Sequence, residues 1–371
     1  MTQTSKLLVS HKSLNRLSRL LLPPKAVYDA DAGSFAGVEK DVVQLTRSEF
    51  DSLFALAELN HVPVRGIGVF RETARQAGDE IRTTWADVCL SAEKSRIDMA
   101  LSYLSKICAA FTQHQLPVAV IKSLDHLPDL GSDLDLFTTA KPQDVIRLME
   151  EEFGARVASR SWGDRLACKW NFIVPGLAEL VEIHVGRLGQ TGEQFSIACS
   201  LIERTRCITI GELQFRVPSV SDRLMISTLQ RMYRHFYFRL CDIIDSSLLV
   251  ESGSIDYADL HAAATRAGIW EGVATYLAIV SDYVCRYRGV PLEIPQWVIA
   301  SARFSGKEVY FAKDFLRVPI LPQSAMLYGS QLAGVIRRRQ LESGARLSLL
   351  PWLATAALVG QKITGSDKGI W

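Results

Sequence analysis

Asp133-Leu134-Asp135-Leu136-Phe137 sets two carboxylates two residues apart in an otherwise apolar run. In a β-strand, residues i and i+2 leave the same face, so Asp133 and Asp135 share one side while Leu134 and Leu136 take the other. Like charges held this close are costly unless something positive lies between them. The usual partner is a divalent cation with hard oxygen ligands, Mg2+ or in its place Mn2+. The segment therefore demands a sheet with one greasy face and one face given over to a charged site. The chemistry it points to is metal-assisted phosphoryl or nucleotidyl transfer.

The 371 residues suffice for two or three packed units. Hydrophobic residues make up 48% and charged residues 22%, ordinary for a globular protein, and the formal charge of +2 supplies no global basic field for long nucleic acid. The seven cysteines (89, 108, 168, 199, 207, 241, 285) are scattered with no Cys-x-x-Cys pair, so the sequence supports neither a zinc site nor a disulfide framework. Reduced thiols fit a cytoplasmic setting, and the first residues lack the apolar core of a signal peptide. Residues 347–360 are apolar, but the stretch is shorter than the ~20 residues a spanning helix needs, and Pro351 interrupts it. No transmembrane segment is expected. Behind Arg337, Arg338 and Arg339, this stretch reads either as a core helix or as a peripheral membrane or partner contact.

The texture changes along the chain. Residues 1–92 read as a helical region, with apolar residues at helical spacing in Phe50, Leu53, Phe54 and Ala57. The helical pattern continues over 71–115, until Pro117 closes it. Strands are expected at 118–121, 134–138, 156–161, 166–174 and 180–185, with a helix over 144–153 stopped by Gly154 and a hairpin over 208–217 around Gly211. After Pro218 the apolar stripes return to helical spacing, first over 222–249 without a break. The expected organisation is an N-terminal helical region (1–92), a small mixed-sheet α+β domain (93–218) and a C-terminal helical domain (219–371).

A third carboxylate, Glu182, lies on the expected strand 180–185, with His184 on its face and Val181, Ile183 and Val185 opposite. Ser123 precedes Asp133 by nine intervening residues. This set resembles the nucleotidyltransferase superfamily, whose fold is that of the DNA polymerase β palm. Its signature is an apolar residue, Gly, then Gly or Ser, a loop, Asp-x-Asp or Asp-x-Glu, and an acidic residue on a later strand. Ile121-Lys122-Ser123, Asp133-Leu134-Asp135 and Glu182 follow that order, with Lys122 where the first Gly stands. The likeness is greatest to a bacterial group of uncharacterised nucleotidyltransferases with Lys-Gly, Asp-Ile-Asp-Leu and Asp/Glu-Leu-His elements. Lys122-Ser123, Asp133–Leu136 and Glu182-Ile183-His184 match them in turn, followed by Val217-Pro218-Ser219 and an Arg239, Asp242, Asp245 helix. The resemblance covers residues 95–250; Ser123 replaces the Gly of the Lys-Gly element, and Gly131-Ser132 replaces a more basic approach to Asp133.

The resemblance implies the roles. Asp133, Asp135 and Glu182 would be catalytic and hold one or two Mg2+ or Mn2+ ions, with Glu182 completing a second site or acting as general base. Lys122, Ser123, Ser132, His184, Arg239 and Asp242 would bind the nucleotide, Ser123 with nearby backbone N–H groups and Lys122 as a point charge. Arg239 and Asp242 are expected within ion-pair reach on one helix, with Asp245 on the same face; an interhelical salt-bridge network is the other reading. Arg231 and Arg234 read either as a solvated helix face or as an anionic acceptor site, and Asp125 and Asp129 as loop residues. The expected activity is transfer of a nucleoside monophosphate from an NTP, with ATP the expected donor, to a hydroxyl or other nucleophile; a small molecule, a peptide, a protein side chain and an RNA end are all open as acceptor, the charge leaning against long nucleic acid. Two rivals stay open: a catalytically degenerate binding or regulatory module, and a kinase-like phosphotransferase using the same carboxylates.

Overall fold

The computed structural model describes residues 3–24, 42–312, 314–353 and 355–356. Its first elements are α1 (Gln3–Leu21), α2 (Arg47–Leu59), α3 (Pro63–Gln76) and α4 (Glu80–Gln113). Local chemistry starts two of them. Thr46 and Glu49 form a reciprocal capping box on α2, and Asp79 accepts the Arg82 N–H at 3.0 Å to cap α4. α3 opens on Pro63 with no side-chain cap of its own. Buried Asp129, from the loop ahead of the two-carboxylate strand, accepts the Val64 N–H at 2.5 Å instead. The expected loop role of Asp129 is thus to tie the N-terminal helices to the edge of the site.

The central sheet follows: β1 (Val118–Val120), β2 (Asp133–Thr138), α5 (Pro142–Phe153), β3 (Arg156–Val157), α6 (Trp162–Leu166), β4 (Lys169–Ile173) and β5 (Leu180–Val185). Strand order is β1-β2-β5-β4-β3. β2 and β5 run parallel and the other neighbours antiparallel, so the sheet is mixed. Leu134, Leu136, Val181 and Ile183 are fully buried on its apolar face. Burial of each is worth about 2 kcal/mol, which offsets the cost of holding carboxylates on the opposite face. Next come α7 (Phe195–Leu201) and the hairpin β6 (Thr205–Ile210) and β7 (Leu213–Pro218), turning at Gly211 with φ +58.

The remaining elements are α8 (Val220–Thr228), β8 (Tyr237–Phe238), α9 (Leu240–Glu251), α10 (Tyr257–Ala267), α11 (Trp270–Arg288), α12 (Gln296–Ile299), β9 (Tyr310–Ala312), β10 (Phe315–Arg317), α13 (Ala325–Arg337) and α14 (Leu341–Ser348). β8, β10 and β9 pair as a second, three-stranded sheet. The class is α+β, a small mixed sheet flanked in sequence by helices. One hydrophobic cluster runs from Leu14 in α1 through the sheet to Leu327 in α13. The division expected at residue 92 falls inside α4, while the one at 218 coincides with the end of β7.

Three local expectations are corrected. The strand expected over 156–161 stops at Val157, and the next begins only at Lys169. Between them Ser161 and Asp164 form a capping box that nucleates α6. The helix expected over 222–249 is broken: residues Leu229–His235 widen into a π-helical turn, Phe236 takes φ +55, and β8 intervenes before α9. In the apolar stretch 347–360, Leu347 and Leu350 pack on Val335 in a small cluster of their own, while Trp352 is exposed. Residues 354 and 357–360 of that stretch lie outside the described residues. No helix among the described residues is long and apolar enough to cross a membrane.

Candidate active site

The register of the sheet assembles the polar face. Asp135 is the parallel partner of Glu182, and Phe137 that of His184. From the other side, Asn171 of β4 stands opposite Glu182 and Lys169 opposite His184. Asp133, Asp135, Glu182, Asn171 and Lys169 thus share one face, and all five line a cavity of about 340 Å³. His184 backs the face rather than lining that cavity: its Nε2 meets Glu182 Oε1 at 2.9 Å. The ligand atoms of Asp135, Glu182 and His184 all lie within 4.8 Å of one another, a group able to hold a metal ion.

Lys122 changes the electrostatics of this face. Its Nζ ion-pairs with Asp135 Oδ1 and stands 3.6 Å from Glu182 Oε1. Lys169 Nζ approaches Glu182 Oε2 at 2.9 Å and Asp164 Oδ1 at 2.8 Å. Two ammonium groups therefore neutralise the carboxylates expected to hold a pair of divalent ions. The backbone explains how a lysine reaches this place. Lys122 has φ +63 and ψ −57, and the Ser123 N–H donates to the Ile121 carbonyl at 2.7 Å. That is a γ-turn of the rare, strained hand, at a position where glycine would be unstrained. The chain keeps the glycine conformation and gains a cation. Ser123, expected to meet phosphate, is occupied otherwise: its Oγ accepts the Asp135 N–H at 2.7 Å and donates to the Asp133 carbonyl at 3.2 Å. It fastens the turn to β2. Ser132 is exposed at the rim of the cavity.

Glu182 and Asp133 are pushed in opposite directions. Burial would raise Glu182, but Lys122, His184 and Lys169 outweigh it and hold the group well below its ordinary range. Burial also works against the Lys122 ammonium, and Asp135 with Glu182 more than restores it. Asp133 has no ion-pair partner among the described residues. Burial, then the charges of Asp135 and Glu182, push its carboxyl from 3.8 up to about 6. The unfolded chain releases that proton near the ordinary value, so the folded state is penalised once Asp133 ionises. The penalty is absent below about pH 4 and grows as pH rises through 6. Asp133→Asn should accordingly stabilise the protein in chelator by about 2 kcal/mol above pH 6 and hardly at all near pH 4. Thermal melts of both proteins at the two pH values check this; equal shifts at both would refute an incompletely compensated charge at Asp133.

A second part of the cavity wall is basic. Gln230, Arg231, Arg234, His235, Tyr237 and Arg239 line it, delivered by the π-helical turn and β8. Arg231 is 1% exposed, so it is no solvated helix face. Its Nε meets Asp242 Oδ2 at 2.7 Å, and its Nη1 has no hydrogen-bond partner among the described residues. Arg234 is half-buried and lines the same wall. Asp242, expected among the nucleotide-binding residues, does not line the cavity: it is buried behind the wall, holding Arg231 and accepting the Arg239 N–H. Arg239 is not on a helical face with Asp242 and Asp245, because it precedes the first turn of α9. Asp245 instead pairs with Arg65 at 2.7 Å and His126 at 2.5 Å. Asp125, read as a loop residue, pairs with Arg223 at 2.6 Å.

Several lining residues escaped the sequence reading. Lys169 and Asn171 alternate with apolar neighbours exactly as little noticed as Glu182 and His184 are conspicuous, since a lysine and an asparagine on a strand carry no motif. His61 and Tyr237 come from segments whose meeting depends on the break after α8. Tyr237 stacks on Phe315 with centroids 4.4 Å apart, and three guanidinium groups, of Arg231, Arg239 and Arg317, stand within 6 Å of its ring.

No family model and no curated protein matches the chain. Among solved structures it is similar to the antibiotic-resistance factor ANT(2'')-Ia, at 12% identity over 45% of this chain and 89% of that chain, TM-score 0.34. It is also similar to an antigenic nucleotidyltransferase-like protein from Paracoccidioides brasiliensis, at 15% identity over 45% of this chain and 85% of that chain, TM-score 0.31. At such scores, what the site can do is decided by its own side chains.

Proposed function

We propose that this chain is a nucleotidyltransferase that moves a nucleoside monophosphate, AMP from ATP, onto a nucleophile of a small molecule, peptide or protein. One observation carries the reading: Asp133, Asp135 and Glu182 stand together on two parallel strands and share the lining of a cavity of about 340 Å³ with Arg231, Arg234 and Arg239. A triphosphate is the ligand that needs both sets, cations for its oxygens and carboxylates for its metal. The volume lies within the usual range of roughly 300–1,000 Å³ for small-molecule sites.

The donor set fits a divalent ion. Asp133 and Asp135 offer hard oxygens, and the raised carboxyl of Asp133 marks negative charge that Lys122 and Lys169 only partly offset. Mg2+ or Mn2+ held by these two would neutralise phosphate charge and polarise the phosphorus centre. The chain's own residues do the rest. Arg231, its Nη1 unpartnered, Arg234 and Arg239 bind and orient the phosphates. Lys122 is released from Asp135 to meet a phosphate oxygen as the nucleotide enters. Glu182, held as an anion by the Lys122 charge and by contacts from Lys169 and His184, is a fixed counter-charge for Lys122 and Lys169 rather than a base. Positioning and charge neutralisation then supply most of the rate.

Incubation with a small-molecule extract and ATP labelled at either phosphate tests this. Label from the alpha position should appear in product, with pyrophosphate released. Transfer of the gamma label would establish a phosphotransferase instead. The ion pair between Lys122 and Asp135 favours a second reading, a nucleotide-binding module whose carboxylates are already neutralised. Calorimetry showing ATP binding with no transfer of either label would select it.

A further inference from the structure

We propose that His61, His126 and Cys241 form a soft-ligand metal site, of the kind that takes Zn2+, at the edge of the cavity. Their ligand atoms all lie within 4.8 Å of one another. They come from three distant segments: the loop between α2 and α3, the turn after β1, and the first turn of α9. Two imidazoles and a thiolate select zinc over Mg2+. The all-oxygen pair Asp133 and Asp135 selects the other way, so this site stands apart from the nucleotidyl-transfer reading.

The supporting contacts are those of a built site. Asp245 Oδ2 meets His126 Nδ1 at 2.5 Å, so Nε2 is the ring atom left to face a metal, which would take the place of any proton there. Asp245 is held in turn by Arg65 at 2.7 Å, and Arg65 by Asp129 at 2.5 Å. A carboxylate behind the imidazole is the arrangement that orients metal-binding histidines. On the other side, Asn60 stitches the first and third ligands together. Its Oδ1 accepts the Leu240 N–H at 3.1 Å, and its carbonyl accepts the Cys241 N–H at 3.2 Å. Arg239 Nη1 stands 3.4 Å from His61 Nδ1 and can only donate, so His61 is a neutral ring presenting a lone pair. A metal ion at that lone pair takes the place of the guanidinium.

His61 and His126 line the cavity, whereas Cys241 is fully buried and does not. That burial rules against Cys241, His126 and Asp245 acting as a nucleophilic relay. It suits a metal whose fourth position opens on the cavity, to be filled by water or by an oxygen or nitrogen of a bound substrate. Binding forms a metal–sulfur bond and releases the thiol proton to solvent.

The full chain, stripped of metal and titrated with Co2+, tests the proposal. One equivalent should bring up a thiolate-to-cobalt charge-transfer band with tetrahedral visible bands, and Zn2+ should bleach both. Cys241→Ser should lose the charge-transfer band, Asp245→Asn should weaken Co2+ binding roughly 10–100-fold, and Cys285→Ser should keep the wild-type spectrum. Should Cys241→Ser fail to fold, X-ray absorption of the zinc-loaded wild-type chain reads one sulfur and two imidazole ligands directly. Absence of a charge-transfer band in the wild-type chain at saturating Co2+, or its persistence in folded Cys241→Ser, overturns the site.

Discussion

Asp135→Asn should lower nucleotidyl transfer by about a thousandfold or more while leaving the fold in place. Asp135 sits at the centre of the polar face: Lys122 pairs with it, Glu182 is its strand partner, and His184 Nε2 lies 3.8 Å from Oδ1. The amide keeps the shape and removes the charge, so the change falls on metal and phosphate binding rather than on packing. The backbone of β2 is secured separately, by Ser123 Oγ and by the buried Leu134 and Leu136. Alpha-label transfer and a thermal melt measured together separate the two effects. Turnover within about tenfold of wild type would remove Asp135 from the site. Asp133→Asn makes a useful pair with it, since the same loss of transfer should come with a gain in stability above pH 6. Two neighbouring carboxylates with opposite stability signatures would show that Lys122 pairs with Asp135 and only partly offsets Asp133.

What could be read in the sequence was whatever depends on short spacing. The i, i+2 rule put Asp133 with Asp135 and Glu182 with His184, and the apolar partners on the reverse face fixed both strands. The α+β class followed from the change of period near residue 117 and its return after Pro218. Register and long-range pairing were out of reach. That Asp135 would face Glu182 is set by parallel pairing of β2 with β5, and that Lys169 would neutralise Glu182 is set by β4. The break that brings Arg231 and Tyr237 to the cavity is not legible because the apolar stripe over 222–249 continues through a π-helical turn, which periodicity does not distinguish from an α-helix. His61 and Cys241, each silent in its own segment, meet only in the folded chain. The missing glycine at position 122 is informative in retrospect: the backbone is still bent as glycine would bend it, so the lysine is there for its charge.

Lys122→Met should cost the magnesium-free protein about 3 kcal/mol, the low end for breaking a buried ion pair. The low end applies because Lys169 and His184 still hold Glu182, and only Asp135 is left without a cation. Magnesium should then matter in a new way. In the wild-type chain an ion held by Asp133 and Asp135 must displace the Lys122 ammonium from Asp135, so Mg2+ should raise the melting temperature little. In Lys122→Met the same ion restores the missing charge, and the rise should be several degrees larger, as ligand linkage requires. Lys122→Gly separates charge from strain. It removes the ammonium just as methionine does, but relieves a γ-turn whose cost for a side chain is about 1–3 kcal/mol. Glycine gives back about 1 kcal/mol of that in the unfolded chain. Lys122→Gly should therefore be about 1 kcal/mol more stable than Lys122→Met, with the same magnesium response. A melting temperature in either variant that ignores Mg2+ would mean that the ammonium and the ion do not share these carboxylates, and the displacement of Lys122 by metal and nucleotide would have to be abandoned.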